Sequence, residues 1–167
     1  MTDTAPTGAV RPVDGDVDPG RARSIAYALH GERRDGAGEP VVDHLERVAA
    51  AVPGEARAVA YLHDVLEHTD ASVAELEAEG VAPVDLNAVL LLTRRPDESF
   101  EAHALRIAYA KGPEGRLART IKLADIDDHL SRAGSINPDR PYGWARCHVA
   151  ACSARFDSSP EPLRSAA

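Results

Sequence analysis

Four ionisable side chains, His63, Asp64, Glu67 and His68, fall within six positions of the otherwise apolar stretch from Ala58 to Thr69. Desolvating a His-Asp pair costs free energy unless a partner compensates, and a divalent cation is one such partner. On a helix, His63 and Glu67 stand one turn apart, with Asp64 about 100° around the axis. Val59, Leu62 and Leu66 then form the stripe that faces the core. Adjacency alone is also met by a hydrogen-bonded pair on a partly exposed helix, so the wider pattern has to decide. A second cluster, Ile121-Lys-Leu-Ala-Asp125-Ile-Asp127-Asp128-His129, places Asp125, Asp128 and His129 on one helical face. A third candidate, His44, has Leu45 and Val48 as core-facing neighbours. Taken singly, each of these groups reads as an ordinary satisfied polar residue. Their recurrence on three apolar helices is what points to shared chemistry.

The elements that must position these groups are helical. With 44% hydrophobic residues and 4% aromatic ones, the 167-residue chain suits one domain whose core is mostly Leu, Val and Ala. Periodicity predicts helices over about 20–33, 41–52, 54–69, 72–79, 83–93, 98–111, 114–133 and 142–155. No alternating stretch demands a sheet, so the expected fold is an all-α compact bundle. Ser72 and Glu75 have capping-box spacing, and Gly38-Glu39-Pro40 and Pro53-Gly54 are breaks. Residues 1–20 and 157–167, rich in Pro, Gly, Ser, Thr and Asp, read as flexible tails around a domain at 21–156. Cys147 and Cys152 lie about 140° apart on a helix and read as reduced thiols.

A net charge of -8 argues against a nucleic-acid polymer or an anionic membrane as partner, while leaving room for a local basic pocket. The longest apolar runs, Val48 to Val52 and Ala88 to Leu92, are far short of the ~20 residues that a bilayer needs. The first residues lack the pattern of a secretory signal, which gives a cytoplasmic expectation.

The order His44, His63-Asp64, Glu67, Asp125 resembles the HD-domain metal-dependent phosphohydrolases. The run from Ala28-Leu-His30-Gly-Glu-Arg33-Arg34 through Gly38-Glu39-Pro40 to His44 extends the likeness. So do Leu62-His63-Asp64-Val-Leu-Glu67, Thr69, Leu92-Thr93 and Lys122-Leu-Ala-Asp125. Together these blocks are similar to the (p)ppGpp hydrolase domain of Rel/SpoT-type proteins and the small stand-alone alarmone hydrolases. The resemblance implies that His44, His63, Asp64 and Asp125 hold one divalent transition metal, with Mn²⁺ the first expectation and Fe, Co, Ni or Zn also suited to the donor types. It also implies that Glu67 orients a water or carries its proton, and that Arg33 and Arg34 lie near the nucleotide.

Two departures stand inside the resemblance. His68 occupies the second position of the family's Glu-Asp pair, and Ile126-Asp127-Asp128-His129 replaces Arg-Leu-His-Asn. His68 is therefore grouped with Glu67 as catalytic, and Asp128 and His129 with Arg33 and Arg34 as substrate-binding. The expected activity is hydrolysis of a nucleotide or nucleotide-like phosphate, with the (p)ppGpp 3′-pyrophosphate first. Alternatives are a phosphomonoesterase of nucleoside monophosphates or other small phosphates, and a nucleotide-binding sensor without turnover. The segment Pro138 to Arg146, which holds the sole Trp, reads either as a lid that stacks on a base or as the anchor of the last helix.

Overall fold

The chain's first helix, α1 (Pro19–His30), starts where Asp18 accepts from the amides of Gly20 and Arg21 and Pro19 supplies a preset φ. The computed structural model describes residues 17–132 and 141–157, so most of both expected tails and the Pro138–Arg140 part of the aromatic segment lie outside the described residues. Residues 17–20, expected in the tail, instead open α1, and Val17 is buried in the core.

The path continues through α2 (Val41–Ala51), a short 3-10 turn (Gly54–Ala56), α3 (Arg57–Leu62), α4 (Val65–His68), α5 (Val73–Ala78) and α6 (Pro83–Leu92). It ends with α7 (Phe100–Tyr109), α8 (Gly112–Ser131) and α9 (Tyr142–Phe156). Among the described residues there is one isolated antiparallel bridge, Arg34 with Pro40, and no strand, so the architecture is the expected all-α bundle.

Apolar spacing explains the packing. Leu45, Val48 and Ala49 recur at helical intervals on α2 and meet Val59 and Leu62 of α3, Val89 of α6, and Leu117 and Ile121 of α8 in one core. The 20-residue α8 is the axis: it packs on α9 and α6, and also touches α2, α7 and α3. A second cluster of Phe100, Ala104, Ile126, Tyr142 and Ala145 joins α7, α8 and α9. Arg119, fully buried, ties the far end of α9 to α8 by donating to the Asp157 carboxylate and to the Ala108 and Ala110 carbonyls.

The one expected helix over 54–69 is broken. The 3-10 turn precedes it, and helical bonding lapses at His63 and Asp64. Nδ1 of His63 donates to the Ala60 carbonyl at 2.7 Å, occupying an oxygen that a continuous α-helix would offer to the amide four residues on. Beyond the break Val65 is buried, and Leu66, expected in the core stripe, is only half-buried.

Gly115 marks a close backbone approach between the start of α8 and the residues before it. A Cβ there would lie 2.5 Å from the Ala110 carbonyl oxygen, which is backbone and cannot swing aside. Gly→Ala at an ordinary helical site gains roughly 0.5–1 kcal/mol, whereas overpacking costs about 1–3 kcal/mol. Gly115→Ala should therefore lower the urea midpoint. A midpoint equal to or above wild type would contradict this packing.

Candidate metal centre

Side chains from α2, the break between α3 and α4, and α8 converge at the floor of a cavity of about 310 Å³. His44, His63, Asp64, Asp125 and His129 all line it. A ligand atom from each of His44, His63 and Asp64 lies within 4.8 Å of the other two, and the same holds for His44, Asp125 and His129.

Hydrogen bonds decide which ring nitrogen of each buried histidine faces the cavity. Nδ1 of His63 meets only the Ala60 carbonyl, which cannot donate, so Nδ1 carries the hydrogen. Nδ1 of His44 lies 2.8 Å from Oδ2 of Asp128. Burial works against charge on Asp128, but bonds from His44 and Arg47 win and hold its pKa down at about 2. That carboxylate is therefore ionised and can only accept. In the neutral form of each ring Nε2 would then bear the lone pair, and both Nε2 atoms are buried without a hydrogen-bond partner.

Each lone pair faces a carboxylate oxygen. Nε2 of His63 is 3.4 Å from Oδ1 of Asp64, and Nε2 of His44 is 3.4 Å from Oδ1 of Asp125. Two electron pairs brought this close repel, so the arrangement calls for a positive charge between them, a metal ion or a proton. Donors held about 2.0–2.2 Å from a shared ion at right angles are themselves about 3 Å apart, close to the spacing here. The residues thus fit a divalent metal. Without one, a proton takes its place: burial opposes charge on His44, yet Asp125 and Asp128 raise its pKa to about 10.

The supporting groups orient the ligands. Lys122, i-3 from Asp125, donates to Oδ2 at 2.8 Å and leaves Oδ1 for the cavity. Burial pushes the Asp125 carboxyl up, but Lys122, His129 and His44 outweigh it and hold its pKa well below the ordinary value. Asp64 follows the same logic, with His63 and His44 offsetting its burial and lowering its pKa. Arg47 clamps Asp128 through Nε and Nη2 and Glu39 through Nη1 and Nη2. Arg132 reaches Glu39 and Asp35, so the loop before α2 is tied to the end of α8.

Comparisons with known proteins bear on the fold. No family model matches the chain. A curated relative from Synechocystis sp., named probable guanosine-3′,5′-bis(diphosphate) 3′-pyrophosphohydrolase, is 29% identical over 141 residues, covering 75% of this chain and 18% of the relative. The chain thus spans less than a fifth of that relative's length. A solved structure, described as a metazoan ortholog of SpoT that hydrolyzes ppGpp and plays a role in starvation responses, matches with a TM-score of 0.55 at 18% identity. That match covers 92% of this chain and 98% of the other. The chain shares the fold of that solved structure.

Within that fold, the structure gathers the four expected ligands and brings Glu67, His68, Arg33, Arg34 and His129 to the same cavity wall. Asp128, expected at the substrate, is not among the lining residues. Its two oxygens are engaged by His44 and Arg47, so it holds the ring of His44. Arg33 donates to the His68 carbonyl and Arg34 to the Gly38 carbonyl at 2.8 Å, which sets both arginines on the loop at the cavity. Sequence reasoning missed Lys122, Arg94, Arg132, Phe100 and His103, which also line the cavity, and Arg47 behind it. The i,i+3 spacings His44 to Arg47 and Lys122 to Asp125 were the available signals. Tyr142 is buried edge-on against Phe100 and stacks on His129, which makes it an anchor of α9. Trp144 packs on His148 and is not among the lining residues. No helix among the described residues is long and apolar enough to cross a membrane.

Asp64→Ala should abolish tight transition-metal binding by the full chain, measured by elemental analysis with circular dichroism confirming the fold. Because His44 holds its proton up to a pKa of about 10 in the metal-free state, the ion must displace that proton at neutral pH. Apparent affinity should accordingly rise by about tenfold per pH unit below that value, with one proton released per ion in calorimetric titrations across buffers. Metal content equal in wild type and Asp64→Ala would sink the site.

Proposed function

We propose that this chain is a metal-dependent phosphohydrolase of a nucleotide-like phosphate, with the 3′-pyrophosphate of (p)ppGpp as the first substrate to test. The observation that carries the reading is the pair of buried, unpartnered Nε2 atoms on His44 and His63, each set against a carboxylate oxygen inside a cavity that also holds basic side chains. The names borne by the relative and by the solved structure support the substrate class.

His44, His63, Asp64 and Asp125 are the residues that would hold the ion, with Mn²⁺ as the first candidate. A bound divalent cation would supply Lewis acidity, making a water more acidic and polarising a phosphoryl oxygen. In hydrolysis the water oxygen bonds to phosphorus, the phosphorus–oxygen bond to the leaving group breaks, and the water's proton needs an acceptor. Glu67 is that acceptor. Its Oε2 accepts from the Arg94 amide at 2.9 Å and its Oε1 lies 3.5 Å from Arg94 Nε, which holds the carboxylate at the cavity wall. His68, the next residue and also in the wall, is the second proton-handling group. Arg33, Arg34 and Arg132 on one side and Arg94 on the other would meet the negative charge of the substrate's phosphates. The cavity volume, at the small end of the roughly 300–1,000 Å³ usual for ligand sites, favours a mononucleotide-sized substrate and makes a nucleoside monophosphate phosphomonoesterase the second reading.

The test is a hydrolysis panel of ppGpp, pppGpp, nucleoside mono-, di- and triphosphates and sugar phosphates, each with Mn²⁺, Co²⁺, Ni²⁺, Zn²⁺ and Mg²⁺. Turnover of the 3′-pyrophosphates supports the first reading and selective release of phosphate from monophosphates the second. Binding without turnover across the panel would overturn both and favour a nucleotide sensor.

Glu67→Gln retains a carbonyl oxygen for the Arg94 amide while removing the base. It should keep its metal and lose ~10²–10⁴-fold in kcat. Full activity with the metal intact would move the proton handling to another residue.

A further inference from the structure

The two ligand groups share His44, and that sharing limits how many ions they describe. Its Nδ1 hydrogen is committed to Asp128, so His44 has one lone pair to offer and can bind one ion. An ion held by His44 would therefore be one that both groups adjoin. We infer that His129 is a fifth protein ligand of that centre, making it a site of three imidazoles and two carboxylates. The inference rests on the metal-centre reading above and extends it to the ligand set and the metal preference.

The placement of His129 follows from α8. Four residues beyond Asp125, it rises from the same face one turn later. Its Nε2 lies 3.2 Å from Oδ1 of Asp125, the same oxygen that His44 Nε2 approaches at 3.4 Å. The two rings are 5.1 Å apart, and both line the cavity. Lys122 holds the other Asp125 oxygen, so Oδ1 is the atom around which both imidazoles gather. The far side of the His129 ring stacks on buried Tyr142 with centroids 5.0 Å apart, which limits ring rotation. An orienting histidine would need only a hydrogen bond to Asp125, whereas this ring also brings its nitrogen within ligand spacing of His44.

A third imidazole changes the chemistry of the centre. Imidazole-rich sets favour Fe, Co, Ni and Zn, while carboxylate-rich sets suit Mn and Mg. A six-coordinate ion would also keep one position for an exogenous ligand instead of the two that four protein ligands leave.

The decisive measurement is residue-specific and does not depend on activity. The full chain, labelled with ¹⁵N-histidine and loaded with ¹¹³Cd²⁺, should show metal–nitrogen scalar coupling at Nε2 of His44, His63 and His129. Coupling at His44 and His63 but not His129 would overturn the inference and leave the proposed function standing. Coupling at none of the three would overturn both. As a second arm, His129→Gln keeps an amide donor for Asp125 Oδ1 while removing the ligand nitrogen. It should weaken Co²⁺ binding at least tenfold and Mn²⁺ binding by a smaller factor. An unchanged Co²⁺ to Mn²⁺ affinity ratio would mean that His129 only orients Asp125, and would overturn the inference from the other side.

Discussion

Two imidazole lone pairs held against two carboxylate oxygens, in a setting that water scarcely reaches, form the constraint around which the rest of this bundle is arranged. Such contacts are repulsive unless a cation lies between them, and only a rigid frame can hold them at 3.4 Å in advance of that cation. Each donor is fixed by a bond on its far side. Asp128 holds the ring of His44, the Ala60 carbonyl holds that of His63, and Lys122 holds the outer oxygen of Asp125. The site is therefore preorganised by second partners that come from two separate stretches of chain, α3 and α8.

The frame also carries charge outward from the centre. Asp128 is clamped by Arg47, Arg47 by Glu39, and Glu39 by Arg132, so a continuous chain of ion pairs runs from the buried ligand to the loop that presents Arg33 and Arg34. This network balances the negative charge gathered at the ligands and holds the loop over the cavity. On the opposite wall, Arg106 grips Glu98 through two bonds and caps the Leu91 and Thr93 carbonyls. Those contacts steady the turn whose Arg94 amide anchors Glu67. Loops on both sides of the cavity are thus tied to helices by guanidinium groups.

Packing and chemistry meet at α8. One face contributes Leu117 and Ile121 to the core, and its C-terminal half presents Asp125 and His129 to the cavity and Asp128 to the ring of His44. The absence of a Cβ at Gly115 lets the start of the helix sit against the Ala110 carbonyl. Stacking of Tyr142 on His129 joins α9 to the same wall, so the last helix supports the centre without supplying a ligand.

Sequence alone determined what is local and periodic. Helical spacing, caps and breaks predicted the all-α class and most element boundaries, because an amphipathic helix carries its packing face in its own residues. Buried His and Asp on apolar helices stand out against the cost of desolvating them, and the resemblance carried by His44, His63-Asp64 and Asp125 made them candidate ligands. Tertiary structure decided everything that depends on which side chain meets which. The break at His63 arises from a ring bonding backward to its own helix, a competition that apolar periodicity does not record. Asp128 shares a helical face with Asp125 in sequence, yet contact with His44 and Arg47 from α2 assigns it an orienting role. Arg94 became legible as a functional neighbour only once folding set its amide beside Glu67. Spacing specifies a face of a helix, and only packing specifies what that face meets.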